Sequence, residues 1–90
     1  MISLMLKILE RESDNEGRIF LYLEEGKWVG YDRSALYLCR LVKDLPIVSY
    51  VVEGIFWLLK AELDVKLLPK EYVLCCSSKE CILDVSQIWK

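Results

Sequence analysis

The sequence predicts an α+β domain: a mixed β-sheet with two helices packed on one of its faces. Three observations lead there. Apolar residues recur with period two in some stretches and with helical spacing in others, so both kinds of element occur. Turn-forming residues at 10–17, 25–26 and 77–80 break the strand-like stretches, which points to hairpins. Of 90 residues, 54% are hydrophobic, enough for one modest core and a single domain over 1–90.

In chain order, Ile2, Leu4, Leu6 and Ile8 alternate with Ser3, Met5, Lys7 and Leu9, which predicts a strand over 2–9. The polar run 10–17 is a loop ending in Gly17. Residues 18–24 (RIFLYLE) and 27–31 (KWVGY) favour strand and flank Glu25-Gly26, a hairpin turn. Asp32 or Ser34 is placed to cap a helix, in which Ala35, Leu38, Cys39 and Val42 share a face. That helix stops before Pro46, since a residue preceding proline disfavours helix. Residues 46–52 (PIVSYVV) read as a strand or extended connection, and 53–63 as a second helix with Ile55, Leu58, Leu59 and Leu63 on one side. Residues 65–68 allow a short strand before Pro69, and 71–76 and 81–85 form a second hairpin around 77–80.

Charge and composition exclude several functions. Twelve Lys and Arg face fourteen Asp and Glu, for a net charge of −2. Residues 1–45 carry seven basic and eight acidic side chains, and 46–90 carry five and six, so neither half is basic. Nucleic-acid affinity comes mostly from cations on phosphates, and this balance disfavours an autonomous DNA or RNA binder. The segment 1–9 lacks the features of a signal peptide, and the apolar stretch 45–59 is shorter than the ~20 residues that span a bilayer. A cytoplasmic protein that makes no membrane contact is expected.

Little in the sequence suggests catalysis. Histidine, the commonest general base, does not occur, and Gly17, Gly26, Gly30 and Gly54 are too scattered for a phosphate loop. The acid pairs Asp14/Glu16 and Glu24/Glu25 sit in turns and are expected to be solvated. Cys39, Cys75, Cys76 and Cys81 do not have the spacing of a zinc site. They are expected as small hydrophobes with free thiols, and a disulfide between Cys76 and Cys81 across the turn would suit an oxidising compartment. Lys79 stands near the pair, but no base for a cysteine nucleophile is visible. A non-enzymatic protein with no cofactor, metal or small-molecule ligand is therefore expected.

The densest feature is aromatic. Phe20, Tyr22, Trp28, Tyr31 and Tyr37 fall close together, with Arg18 and Arg33 among them. Such residues fill a core, or else offer rings and a guanidinium to a base or a peptide. Trp28, Tyr31 and Arg33 are the candidates for that contact. A second cluster, Phe56 and Trp57 with Ile55, Leu58 and Leu59, covers the full circumference of a helix and should leave apolar groups outside. Together with Trp89 it predicts an interface, with a homodimer as the simplest closed form and another protein as the alternative partner.

The segment 19–42, IFLYLEEGKWVGYDRSALYLCRLV, resembles the N-terminal domain of the MutS mismatch-repair family. That domain has an apolar strand, a Gly-Asp-Phe-Tyr-Glu turn and strand, and an Ala opening a helix. Gly26 matches the turn glycine, Trp28 falls at the Phe, and Ala35 matches the helix Ala after one deletion. Lys27 replaces the acid after the glycine, and Gly30 replaces the Glu that reads the mismatch. The segment also resembles small bacterial proteins, of the kind found in Bacteroidetes, with a Tyr-x-x-Ser-Ala helix start, here Tyr31, Ser34 and Ala35. The resemblance implies the MutS N-terminal fold and, as a function, a nucleic-acid-binding adjunct that uses the aromatic hairpin.

Overall fold

A computed structural model describes residues 2–52 and 56–87, with side chains over 6–48 and 58–87. The strands β1 (Arg18–Glu24) and β2 (Lys27–Tyr31) meet at Glu25 and Gly26. These two residues have φ of 49° and 79°, the left-handed pair that a two-residue hairpin needs to match strand twist. The hairpin forms the middle of a six-stranded sheet of order β3-β4-β2-β1-β6-β5. The other strands are β3 (Val48–Val52), β4 (Phe56–Asp64), β5 (Val73–Cys76) and β6 (Glu80–Asp84). Every pairing among the described residues is antiparallel, so the sheet is not the mixed one expected. The chain is a single small α+β domain with two helices, α1 (Ile2–Ser13) and α2 (Arg33–Leu41).

The helices lie on opposite faces rather than together. Successive strand residues point to opposite sides. Ile19, Leu21, Trp28, Ala61, Leu63 and Leu83 point to one side, where they bury Ala35 and Leu38 of α2. Val29, Tyr31 and Leu58 point to the other side, where they bury Ile8 of α1. Gly30 allows α2 to sit close: a Cβ there would come 3.4 Å from the backbone of Ser34 and Ala35.

Two stretches exchange the expected structures. Residues 2–9 are helical: their Leu, Met and Lys are good helix formers, and Ile8, Arg11 and Glu12 recur at helical spacing and turn toward the protein. The expected helix over 53–63 is instead β4 from Phe56 onward, and 53–55 lie outside the described residues. Leu59-Lys60-Ala61-Glu62-Leu63-Asp64 alternates with period two. Leu58 packs on the α1 side and Leu59, Ala61 and Leu63 on the α2 side, so β4 is apolar on both faces where it reads as an unbroken run. Residues 65–68 give no strand but a 3-10 turn, Val65–Leu67, whose Lys66 N–H donates to Asp64 Oδ1 at 2.9 Å.

A buried polar junction ties the helices to the sheet. Asp32 occupies the cap position of α2 at φ 52° without a side-chain hydrogen bond, and Ser34 does not cap either. The cap comes from α1: Glu12 Oε1 accepts the Ser34 N–H at 2.8 Å, and Glu12 Oε2 accepts the Ser34 hydroxyl at 2.5 Å. A carboxylate there meets unpaired helical N–H groups and the positive end of the helix dipole. Asn15 Nδ2 also donates to Glu12 at 3.1 Å, and the Phe20 N–H donates to Ser34 Oγ at 2.9 Å. Glu12 and Ser34 are fully buried, and burial pushes the Glu12 carboxyl above its ordinary range against the pull of these donors.

Candidate functional site

Among the described residues no strand pairs with the outer edge of β3, the last strand on its side of the sheet. Its register against β4 runs from Val48↔Lys60 through Tyr50↔Leu58 to Val52↔Phe56. The Asp32 N–H donates to Leu59 O at 2.9 Å, so the backbone groups of Leu59 point away from β3. In an antiparallel ladder hydrogen-bonded and non-bonded pairs alternate. Ser49, opposite Leu59, is therefore a non-bonded position, and its N–H and C=O point outward from the sheet, as do those of Val51. The strand Val48–Val52 carries no charge and no proline, which are the usual protections of an edge. Beside it Ile47 and Val48 are exposed, and Val48, Pro46, Lys27, Lys60 and Glu62 line an open hollow of about 590 Å³. Lys60 lies 3.5 Å from Glu62 and 3.9 Å from Glu24.

The opposite edge, β5, is built differently. It pairs with β6 only at Val73, Cys75 and Cys76, with a bulge between the first two. Bulges end or deflect pairing, so this edge is blunted.

The aromatic hairpin does not form the expected binding surface. Trp28 is 6% exposed and Tyr31 1%, and they lie on opposite faces of the sheet. Trp28 fills the space under α2. Tyr31 lies 6.1 Å from the Tyr22 ring, and its hydroxyl donates to Glu24 Oε2 at 2.5 Å. Neither offers a ring to a base or a peptide, because the small core needs both. Arg33 stands apart from them. Its Nη1 donates to Asn15 O at 3.1 Å, on the wall of an open groove of about 390 Å³ shared with Tyr37, Arg40, Gly17 and Ser86. Phe56 and Trp57 open β4 opposite Val52 and Val51, beside the edge strand β3, and Trp89 lies outside the described residues.

Sequence reasoning missed the β3 edge, which needed β4 to be a strand. It also missed Glu12, which the sequence places in the polar loop 10–17 and the structure places in α1. A serine hydroxyl held 2.5 Å from a carboxylate is an arrangement that nucleophiles use. Here both groups are sealed from solvent and Ser34 Oγ also holds a backbone N–H, so the pair serves the fold. Among the described residues no three metal-donor side chains converge, and no helix is long and apolar enough to cross a membrane.

Comparison with protein-family models, with curated proteins and with solved structures returns no match. The segment that resembles the MutS N-terminal domain forms β1, β2 and α2, which pack together as the middle of the sheet and its covering helix.

Proposed function

We propose that the chain is a small, non-enzymatic interaction protein whose partner is a second copy of itself, joined by strand addition at β3. The observation that carries this reading is the open, uncharged edge, with the backbone groups of Ser49 and Val51 directed outward. Antiparallel pairing about a two-fold axis at Tyr50 sets Ser49 of one copy opposite Val51 of the other, where they exchange both backbone hydrogen bonds. No like charges meet in that register. Phe56 and Trp57, one strand inward, belong to the same region. A cytoplasmic setting is part of the reading, since four free thiols suit a reducing compartment. The nucleic-acid alternative keeps Arg33 but loses Trp28 and Tyr31 to the core.

Sedimentation equilibrium on the full chain tests this. A dimer is expected, and a 10.6 kDa species persisting to high micromolar concentration overturns it. Val51→Pro removes an outward N–H without touching the bonds to β4, and proline is tolerated on such an edge. The variant should be monomeric with an unchanged far-UV spectrum. A Val51→Pro chain that still dimerises would move the interface away from β3.

A further inference from the structure

Three of the four cysteines lie in one hairpin, and two of them face each other. Cys76 and Cys81 are register partners. The Ser77 N–H donates to Glu80 O at 2.7 Å, so Ser77 and Glu80 form the hydrogen-bonded pair that closes the turn. The next pair outward, Cys76 and Cys81, is therefore non-bonded, the closer of the two antiparallel spacings, with Cα atoms about 4.5 Å apart. A disulfide accepts Cα separations of about 4.4–6.8 Å.

The two thiols differ sharply in environment. Cys76 is exposed, whereas Cys81 is fully buried under α2 with Leu83 and Val85. Burial, followed by the hydrogen bond with Cys76, pushes the Cys81 thiol up to about 12. Cys75 is exposed too, but it pairs with Ile82 and so points to the opposite face of the sheet. The Cys76 side chain is itself exposed, so a small molecule reaches it from solvent.

We propose that Cys76 and Cys81 form a reversible thiol–disulfide exchange site whose co-substrate is a low-molecular-weight disulfide, with Cys76 attacking and Cys81 resolving. In the first step the Cys76 thiolate bonds to one sulfur of the small disulfide, its S–S bond breaks, and the departing thiolate takes up the proton that Cys76 released. In the second, Cys81 gives up its proton, its sulfur bonds to Cys76 Sγ, and the mixed disulfide breaks to release a second small thiol. Two protein thiols lose two electrons, and one disulfide becomes two thiols. The bond would fasten β5, whose pairing is otherwise interrupted by its bulge. Thiol pairs of this kind in reducing compartments are usually transient or redox-sensing.

The test equilibrates the full chain with oxidised and reduced glutathione at several ratios, quenches with acid, and maps the products by mass spectrometry. The expected product is a chain lighter by two hydrogens, with the linkage between the peptides holding Cys76 and Cys81, reversed by excess reduced glutathione. Cys76→Ser, an exposed change, should slow the loss of free thiol at Cys81 roughly tenfold or more. Cys81→Ala should stop the reaction at a stable glutathione adduct on Cys76. Should Cys81→Ala not fold, the linkage map and the Cys76→Ser rate decide alone. A glutathione adduct on Cys76 that persists in the unmutated chain overturns the proposal, as does a linkage through Cys39 or Cys75.

Discussion

The two faces of the sheet are held by different forces. Under α2 the contacts are apolar: Leu38 and Ala35 sit on Ile19, Leu21, Trp28 and Leu63, all essentially removed from water. Under α1 the apolar patch is thin, with Ile8 against Val29, Tyr31 and Leu58, and polar contacts surround it. Arg11 lies 4.1 Å from the centre of the Phe20 ring and 2.8 Å from Glu80, Tyr31 holds Glu24, and Glu12 is buried against Ser34. Apolar burial is large and indifferent to pH, while charged and hydrogen-bonded fastenings are directional and respond to it. The α2 face therefore carries most of the stability. The α1 face sets where its helix docks.

Four measurements sharpen or break that contrast. Leu38→Ala should cost about 3–5 kcal/mol in urea unfolding, and Ile8→Ala nearer 2 kcal/mol, because fewer neighbours surround Ile8. Equal losses would dissolve the distinction between the faces. Ser34→Ala leaves a buried carboxylate short of a donor and should cost about 1–3 kcal/mol. A neutral result would mean that the junction opens to water.

The third measurement is pH dependence. The folded state holds the Glu12 proton more tightly than the unfolded chain, whose carboxyl titrates near 4.5. Its contribution to stability is complete below that value and is lost as pH rises through the higher, folded value. Unfolding titrations of the wild type and of Glu12→Gln should then differ in slope over this window, with the wild type gaining relative stability as pH falls. Parallel curves would show that Glu12 titrates normally. The smallest effect is expected for Arg11→Ala, under 1 kcal/mol and weaker still in high salt, because the side chains of Arg11 and Glu80 are 37% and 48% exposed. A larger loss would mean that the contact with Phe20, not the ion pair, secures α1.

The hairpin of β1 and β2, the helix α2 and the hairpin of β5 and β6 were legible because each has a local signal. Glu25-Gly26 fixes a turn, helical spacing follows at once, and 77–80 supplies a second polar turn. The swap of strand and helix at 2–9 and 56–64 has a different origin. At 2–9 the same apolar residues satisfy both periods, and at 56–64 the unbroken start Phe-Trp-Leu-Leu masks the alternation that follows it. Only the three-layer arrangement decides between them, because β4 has a helix above and another below. The candidate sites fared likewise. Trp28 and Tyr31 are conspicuous in the sequence because the core is small and needs large residues. Glu12 is inconspicuous because nothing local shows that its partner lies on the next helix, in Ser34.

The strand order also has a consequence for biosynthesis. β1 lies between β2, which follows it immediately, and β6, which pairs Phe20 with Ile82 about sixty residues later. Until β6 has been made, the Ile-Phe-Leu-Tyr-Leu strand lacks one of its two pairing partners. Such vacancies recruit neighbouring nascent chains. Elongation speed between α2 and β6 thus governs how long that side stays open, and slowing it should divert product toward aggregates without altering any property of the finished protein.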